Sequence, residues 1–512
     1  MIVKNFGCAV FGVEATVITV ETNIVKGGLF FMVGLPDNAV KESHQRVSAA
    51  IKNIGLHMPR GKEITINLAP ADLRKEGTAY DLPIALGILG ASEQISTSRF
   101  TDLVVMGELS LDGEVRPIKG ALPIALEAKK QGFKGVVVPR ENAREAAIVQ
   151  GLEVYGVEHL QQVVEFMEGR ENMEPTRVDI AAEFDARSRG YPVDLSDVKG
   201  QENIKRAFEI AAAGGHNVIL IGPPGAGKTM IAKRLPTILP PLNIEEALET
   251  TKIHSVAGKL AKEDALVSTR PFRAPHHTIS DVALVGGGSY PQPGEISMAH
   301  NGVLFLDELP EFKRTVLEVM RQPLEERVVT ISRAKFTVAY PASFMLVAAM
   351  NPCPCGYHNH PERECVCPPG VVQKYLNKIS GPLLDRIDIH VEVTPVAFTE
   401  LASERETEKS AAVRERVVKA RNLQEQRYRG TRIYSNAQIS TQQLRKYCRV
   451  DAQGQALLQR AMERLGLSAR AYDRILKVAR TIADLAGSVA IGNEHLAEAI
   501  QYRSLDREGW AG

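Results

Sequence analysis

The residues best suited to chemistry form one short stretch, Gly222 to Thr229 (GPPGAGKT). It meets the pattern G-x-x-x-x-G-K-[ST] between a buried-strand pattern at Asn217 to Ile221 and a helix pattern at Met230 to Leu239. A strand that turns through glycines into a helix directs backbone N–H groups and the positive end of the helix dipole into one concavity, which suits a polyphosphate. Lys228 then reaches the β- and γ-phosphates, and the Thr229 hydroxyl is a ligand of Mg²⁺. The alternative is a glycine-rich turn that only tightens a strand–helix corner.

Two further strand patterns end in polar residues that suit the same chemistry. Val303 to Leu306 is followed by Asp307, which we expect to hold Mg²⁺ through water, and by Glu308, which would orient and deprotonate the attacking water. Phe344 to Ala349 delivers Asn351 as a polar sensor of the γ-phosphate, although an Asn before proline also favours a turn by itself. The loop residues that complete the predicted nucleotide site are Gly222, Pro223, Pro224, Gly225, Ala226, Gly227, Lys228 and Thr229.

Four of the six cysteines crowd into an insertion at residues 352–369, as Cys-Pro-Cys and Cys-Val-Cys. Four thiolates match the tetrahedral preference of Zn²⁺, and a metal would replace a hydrophobic core that so short an insertion cannot build. The two C-x-C pairs are tighter than the usual spacers between zinc ligands. The alternative is a set of reduced thiols in a proline-stiffened loop. The predicted ligands of a structural Zn²⁺ are Cys353, Cys355, Cys365 and Cys367.

The composition limits the possible classes of protein. A chain of 512 residues is too long for one hydrophobic core, and its 44% hydrophobic and 24% charged residues are typical of soluble globular proteins. The formal net charge of +1 argues against attraction of the whole molecule to nucleic acid, so any basic surface must be local. No apolar run is long enough for a membrane span, and no signal segment is evident. We therefore expect a cytoplasmic enzyme.

The hydrophobic patterns divide the chain into α/β and helical parts. Residues 1–168 alternate strand and helix patterns and predict an α+β domain. Residues 169–196 are polar, lack apolar periodicity and are typical of a linker. Residues 197–396 predict a doubly wound parallel sheet, and residues 397–512 predict a helical bundle that includes a long charged helix facing solvent or a partner. The predicted fold class is α/β.

The segment LSLDGEVRPIKGALPIALEAKKQGFKGVVVP, Leu109 to Pro139, resembles the Lon-protease-type fold, which is ribosomal S5 domain 2-like. The proteolytic form of that fold needs a serine nucleophile and a lysine that activates it. When EGTAYDLP (Glu76 to Pro83) and PIKGALP (Pro117 to Pro123) are aligned with that family, Ala79 and Leu122 stand at the two positions. The resemblance therefore implies a non-proteolytic binding or assembly module.

The rest of the chain resembles the magnesium-chelatase-type AAA+ ATPases. The segments that carry this resemblance are GPPGAGKT, FRAPHHTISDVALVGGG (Phe272 to Gly288), PGEISMAHNGVLFLDELPEF (Pro293 to Phe312), AAMNPCPCG (Ala348 to Gly356) and GPLLDRIDIHVEV (Gly381 to Val393). Together with the Lon-like domain they are similar to the ComM/YifB family of bacterial DNA-processing proteins. The resemblance implies a hexameric, ring-forming helicase that promotes branch migration during natural transformation. Its cofactors would be ATP and Mg²⁺, and its partner single-stranded or branched DNA.

The resemblance also implies roles for basic residues outside the phosphate site. Arg386 would stabilise transition-state charge at the ATP of a neighbouring subunit. Arg470 matches the sensor arginine of the AAA+ lid, with Arg474 one turn further on as the alternative. A hairpin between Glu326 and Ala342 would project into the channel of the ring and bind DNA phosphates. Without the resemblance, each of these residues is an ordinary surface residue. The predicted DNA contacts are Arg333 and Lys335.

Three smaller features complete the interpretation. Ala283 to Ile296, with three consecutive glycines, resembles a hairpin inserted into a helix. Val198 is either a contact of the adenine or a packing valine. His276 and His277 are adjacent, lack the spacing of metal ligands and are interpreted as loop residues.

Two other functions compete with a DNA motor. A chelatase-type motor that remodels a metal-inserting partner follows from the resemblance of the catalytic core alone, but no acidic metal-delivery segment is present. Binding of a tetrapyrrole would favour it. An ATP-dependent protease requires a nucleophile that Ala79 does not supply, and cleavage of a casein-type substrate would favour it.

Overall fold

The computed structural model describes residues 2–187, 190–261, 263–288, 290–333, 336–358, 360, 362–396, 400, 407–431 and 433–503. Among these residues no helix is both long and apolar enough to cross a membrane. Lys335 lies outside the described residues, as does the side chain of Arg333, so the two predicted DNA contacts stay predictions.

The N-terminal part is built on a mixed sheet. Its strands are β1 (Ile2–Phe11), β2 (Glu14–Lys26), β3 (Phe30–Val33), β4 (Lys62–Ala69), β5 (Leu103–Val105), β6 (Glu108–Leu109), β7 (Val115–Arg116), β8 (Gly135–Pro139) and β9 (Glu153–Val157). Seven of them form one sheet in the order β3-β4-β2-β1-β5-β8-β9, while β6 and β7 pair as a separate hairpin. The helices of this part are α1 (Asn38–Asn53), α2 (Asp81–Ala91), α3 (Ala121–Lys130), α4 (Arg140–Ala146) and α5 (Leu160–Met167).

The local sequence explains most of these elements. Strand β4 alternates buried and partly exposed residues, as a strand with one face on the core does. Helix α1 begins after Asp37, whose carboxylate accepts a hydrogen bond from the Val40 N–H at 2.8 Å. Helix α2 is buried along its whole length and therefore forms the centre of the N-terminal core. The sequence analysis does not predict β1, because its inward and outward residues do not alternate regularly.

The segment predicted as a linker contains a helix, α6 (Ile180–Arg187). Ile180 and Phe184 of this helix pack against the N-terminal core, and so do Met173 and Val178 earlier in the segment. The segment connects the two parts of the chain but is more ordered than its lack of periodicity suggests. Scattered apolar side chains are enough to hold it against a core that already exists.

The central part contains a parallel sheet and two hairpins. Its strands are β10 (Val218–Ile221), β11 (Phe272–Arg273), β12 (Gly286–Gly287), β13 (Gln292–Pro293), β14 (Val303–Leu306), β15 (Val328–Arg333), β16 (Phe336–Pro341), β17 (Met345–Met350) and β18 (Ile389–Glu392). The sheet has the order β11-β14-β17-β10-β18 with every pair parallel. Strands β10, β14 and β17 are buried throughout, because helices cover both faces of such a sheet.

The helices of the central part surround this sheet. They are α7 (Glu202–Gly214), α8 (Lys228–Ala232), α9 (Ile244–Ala257), α10 (Asp281–Val285), α11 (Glu295–Met298), α12 (Arg314–Val319), α13 (Arg321–Glu326), α14 (Pro369–Leu376) and α15 (Gly381–Leu384). The predicted helix from Met230 to Leu239 is shorter than expected: α8 stops at Ala232, and a 3₁₀ turn follows at Leu235–Ile238. Pro236 explains the break, because a proline in the helix interior removes a backbone donor.

The two hairpins lie where the sequence analysis expects insertions. Strands β12 and β13 pair between the short helices α10 and α11, and β15 pairs with β16. Val329 and Tyr340 of the second hairpin are buried in the central core. The Tyr340 hydroxyl donates to the backbone oxygen of Pro291 at 2.7 Å, which links the base of the second hairpin to the first.

The C-terminal part is helical: α16 (Ser410–Arg427), α17 (Thr441–Tyr447), α18 (Ala452–Leu465), α19 (Ala469–Leu485) and α20 (Asn493–Gln501). Helices α17 and α18 are separate, because Asp451 caps a new helix by accepting the Gly454 N–H at 2.7 Å. The charged helix α16 buries Val413 and Val417, so one of its faces belongs to the core.

Candidate active site

Three adjacent parallel strands bring the predicted nucleotide residues to one edge of the central sheet. Strand β10 ends at Ile221 before the phosphate loop, β14 ends at Leu306 before Asp307, and β17 ends at Met350 before Asn351. Ile221 pairs with Met350 and Leu306 pairs with Ala348, so the three strand ends lie close together. In open α/β sheets, ligands bind at the carboxyl ends of the strands, so this edge is the expected place for a nucleotide.

The phosphate loop presents unpaired donors at this edge. Gly227 adopts φ +84° and starts helix α8 at Lys228. Within the described part of the chain, the N–H groups of Gly225 and Gly227 have no hydrogen-bond acceptor. Because such donors at a helix N-terminus attract anions, the loop fits the phosphates of ATP.

The Lys228 ammonium lies inside the loop. Its Nζ donates to the backbone oxygens of Gly222 at 2.7 Å and Pro223 at 2.9 Å, and to Oδ1 of Asn351 at 3.0 Å. Burial lowers the pKa of Lys228, while the nearby carboxylates of Asp307 and Glu308 oppose this effect. The structure thus brings together the predicted phosphate ligand and the predicted sensor, which belong to different strands.

The predicted magnesium ligands and the predicted base are also adjacent. The Thr229 hydroxyl donates to Oδ2 of Asp307 at 2.5 Å, so the two predicted Mg²⁺ ligands face one point. Glu308 has φ +53°, which is uncommon for a residue other than glycine, and its side chain is 57% exposed. Thr229 and Asp307 could hold Mg²⁺, and Glu308 is placed beside them as a base for water.

A histidine contacts the predicted base. His277 Nδ1 lies 3.1 Å from Oε2 of Glu308. His277 follows β11, which neighbours β14, so its loop emerges at the same edge of the sheet. The sequence analysis interpreted this residue as part of an ordinary loop, because a two-residue strand gives almost no signal. The contact makes His277 a positioning residue for Glu308.

Arg386 lies at the opposite edge of the same sheet. It precedes β18, whereas the phosphate loop follows β10, and Val218 pairs with Ile389 in these parallel neighbours. The length of the strands separates the two positions by on the order of 15 Å. Arg386 is 7% exposed and forms an ion pair with Glu325. Its guanidinium therefore does not reach the phosphate loop of its own chain.

The two lid arginines lie on the same side as Arg386. Arg470 approaches Oδ2 of Asp385 at 3.3 Å, and its side chain is 66% exposed. Arg474 pairs with the buried Asp388 at 2.9 Å. Burial raises the pKa of Asp388, but Arg474 and His216 outweigh it, so this pKa lies well below its usual range. Arg474 thus has a structural partner, while Arg470 faces outward. Neither lies beside Lys228, so contact of Arg470 with ATP in its own chain does not fit this arrangement.

The four cysteines of the insertion converge. The sulfur atoms of Cys353, Cys355, Cys365 and Cys367 all lie within 4.8 Å of one another. Cys353 is buried and the other three are partly exposed. The predicted cluster therefore exists as a set of side chains that could hold a metal ion.

In the N-terminal part, buried residues surround the two positions that the sequence analysis aligns with the serine and lysine of the Lon-type fold. Leu122 is fully buried, and its N–H donates to Oε1 of Glu145 at 2.9 Å. The buried Asp81 accepts two hydrogen bonds from Arg46, at 2.6 and 2.9 Å. Burial raises the pKa of Asp81 to about 6, although Arg46 opposes this. Ala79, which the sequence analysis places at the position of the serine, has only a methyl side chain and supplies no nucleophile.

The hairpin of β12 and β13 in the central part reaches the N-terminal part. The Tyr290 hydroxyl donates to the backbone oxygen of Val10, and the Gly120 N–H donates to the Ser255 oxygen at 3.2 Å. Leu242 and Ala247 from the central part pack into the N-terminal core. Val198 is fully buried in the second core, which agrees with the interpretation as a packing residue.

Family models match most of the chain. The model of the magnesium chelatase subunit ChlI matches residues 194–401, a second model of the ChlI subunit of Mg-chelatase matches residues 20–142, and the model of the ChlI C-terminal region matches residues 407–503.

Similar proteins cover nearly the whole length. An uncharacterized protein of Escherichia coli, YifB, is 46% identical over 503 residues, which are 98% of this chain and 96% of that protein. The competence protein ComM of Haemophilus influenzae is 44% identical over 503 residues, 98% of this chain and 97% of that protein. The archaeal Lon protease of Thermococcus kodakarensis is 28% identical over 169 residues, 31% of this chain and 26% of that protease.

Proposed function

Because the chain belongs to the ComM/YifB family of magnesium-chelatase-like AAA+ proteins, we propose that it is a ring-forming, ATP-driven DNA translocase. Its activity would promote branch migration during DNA uptake and recombination. ATP and Mg²⁺ would bind at the phosphate loop, Thr229 and Asp307. The Haemophilus relative is a competence protein, which supports a role in DNA uptake.

One observation supports assembly into a ring, namely that the predicted catalytic residues lie at two opposite edges of the sheet. The phosphate loop with Lys228 and Glu308 lies at one edge of the central sheet, and Arg386 with the exposed Arg470 lies at the other. An arginine stabilises the charge of a transferring phosphoryl group only when it reaches that group. A second copy of the chain that sets its arginine edge against the phosphate edge of the first would complete the site.

The DNA contact is the second part of the proposal. The hairpin of β15 and β16 has a buried base, with Val329 and Tyr340 in the core, and the sequence from the end of β15 to the start of β16 contains the predicted DNA contacts Arg333 and Lys335. Basic residues on a rigid hairpin bind phosphates without regard to base sequence. A movement of the core that follows hydrolysis would then be transmitted to a DNA strand.

The first test measures ATP hydrolysis with no DNA and with single-stranded, double-stranded and branched DNA. We expect stimulation by at least one DNA, and loss of both hydrolysis and strand displacement in Lys228→Ala. An ATPase rate that no nucleic acid changes would contradict the DNA motor while leaving the nucleotide site intact.

The second test separates a shared site from a site within one chain. Arg386→Ala and Glu308→Gln should each be inactive, and mixing the two should restore part of the ATPase. In the mixture some interfaces combine an intact Glu308 with an intact Arg386 of the neighbour. A mixture of Lys228→Ala and Glu308→Gln is the matched control and should stay inactive, because both changes lie at the same edge. Equal results from the two mixtures would contradict the shared site.

A further inference from the structure

The cysteine cluster has the dimensions of a metal site. Sγ of Cys353 lies 3.3 Å from Sγ of Cys355 and 3.6 Å from Sγ of Cys365, and the Cys355 and Cys365 sulfurs are 3.6 Å apart. Four sulfurs at Zn–S distances near 2.3 Å would be separated by about 3.8 Å at the corners of a tetrahedron. A disulfide would require about 2.05 Å. The spacing therefore suits one cation among four thiolates.

Backbone donors surround the sulfurs. The N–H groups of Gly356 and His358 donate to Sγ of Cys353 at 3.2 and 3.3 Å, and the Cys355 N–H lies 3.4 Å from Sγ of Cys367. Such bonds stabilise negative sulfur and fix the direction of each ligand. Without a cation, several thiolates so close together would repel one another.

The cluster also touches the phosphate loop. A Cβ atom added to Gly356 would lie 2.4 Å from Cδ of Pro224, so the backbone at Gly356 packs closely against the proline ring. Gly356 has φ +85°, which favours glycine. On the other side of the cluster, only Pro352 separates Asn351 from Cys353 in the sequence. The Asn351 side chain accepts a hydrogen bond from Lys228. The cysteine loop thus contacts the nucleotide site at two points.

We propose that Zn²⁺ bound by the four thiolates holds this loop against Pro224 and so determines the affinity of the phosphate loop for nucleotide. Gly356 is the positioning residue that allows the contact. The metal shapes the site from outside and takes no part in the hydrolysis. The effect on nucleotide affinity rests on the proposed ATPase function, whereas zinc binding does not and is measured separately.

The first experiment measures zinc per chain by elemental analysis of the purified full-length protein, together with the dissociation constant of a fluorescent ATP analogue. We expect about one zinc ion per chain. Replacing Cys365 and Cys367 by serine should remove the metal and weaken nucleotide binding roughly ten- to hundredfold, because a small displacement of a binding group has effects of that size. Cys448→Ala is the matched control, since this thiol lies in the helical part away from the cluster.

The second experiment keeps the ligands and changes only the contact. Gly356→Ala should retain zinc and still weaken nucleotide binding about tenfold, because its methyl group displaces Pro224. Gly430→Ala is the control: Gly430 has φ +80° and no atom within 4 Å of an added Cβ, so it carries similar backbone strain without the contact. The melting temperature of each variant identifies a loss of folding.

Each outcome decides one part of the proposal. Protein that holds no zinc after purification and after addition of Zn²⁺ overturns the metal site. Loss of zinc with unchanged affinity overturns the coupling, and so does a Gly356→Ala variant that binds nucleotide normally. If the unmodified chain contains zinc but binds no ATP analogue, the proposed ATPase fails and the metal site stands.

Discussion

The two α/β halves of this protein, its N-terminal part and its central part, use their charged residues in opposite ways. At the edge of the central sheet, Thr229, Asp307 and Glu308 face outward. The N–H groups of Gly225 and Gly227 beside them have no acceptor among the described residues. In the N-terminal half, Asp81 is fully buried and its carboxylate is satisfied by Arg46 and by the Leu109 N–H at 3.2 Å. The central half leaves hydrogen-bond donors available to a ligand. The N-terminal half pairs its buried carboxylate with groups of its own. A polar group can therefore serve a ligand only where the fold leaves it available, as at the edge of the central sheet.

The comparison predicts first that the central half depends on one carboxylate for turnover. Glu308→Gln should lower kcat by about 10²–10⁴, because it removes the base that deprotonates water, and should leave the affinity for nucleotide nearly unchanged. Steady-state hydrolysis and equilibrium binding measure the two quantities. Glu311→Gln, which alters a nearby carboxylate paired with Lys378 at 3.4 Å, should behave like the unmodified chain. Equal loss in both variants would mean that charge alone, not a base, matters here.

In the N-terminal half, loss of a buried ion pair should affect stability more than turnover. Arg46→Met leaves the buried Asp81 carboxylate without its cation and should lower the free energy of unfolding of this half by about 3–5 kcal/mol. Hydrolysis per folded chain should not change. Urea unfolding followed beside ATPase assays distinguishes the two. Lys134→Met, which removes an exposed ion pair with Asp102, should have little effect and serves as the comparison. A large fall in turnover would show that the two halves are coupled through this ion pair.

A smaller effect should follow at the histidine beside the base. His277→Ala should lower kcat about two- to fivefold with KM unchanged, since the His277–Glu308 contact is partly exposed and its loss disorders only one carboxylate. His277→Gln, which can still hydrogen-bond, should recover most of the rate. If both variants hydrolyse ATP at the normal rate, His277 does not position Glu308.

The smallest effect is expected from substitutions that introduce a serine and a lysine at the positions of the protease dyad in the N-terminal half. Ala79→Ser together with Leu122→Lys should yield no cleavage of a casein-type substrate, because position 122 is fully buried and packed in the core. Burial at that position would remove the water around a lysine ammonium, which is energetically costly. Detectable cleavage that depends on both substitutions would show that the centre is more open than its burial indicates.

Much of the nucleotide site can be predicted from local sequence. The spacing within GPPGAGKT, the carboxylates after Val303–Leu306, Asn351 after its strand and the four crowded cysteines are each contained in one short segment. The parallel sheet then brings the strand ends together by its own geometry. For this reason Lys228, Asp307 and Asn351 are neighbours in space as the sequence analysis expects.

The groups that can bind phosphate and metal are recognisable in the sequence, because their patterns are local. The pairing of His277 with Glu308, the contact of Gly356 with Pro224 and the burial of Asp81 against Arg46 arise only in the folded chain. So does the position of Arg386 and Arg470 across the sheet from the phosphate loop. Each of these depends on which strands are neighbours and which edge each loop leaves, and no segment of the chain contains that information alone.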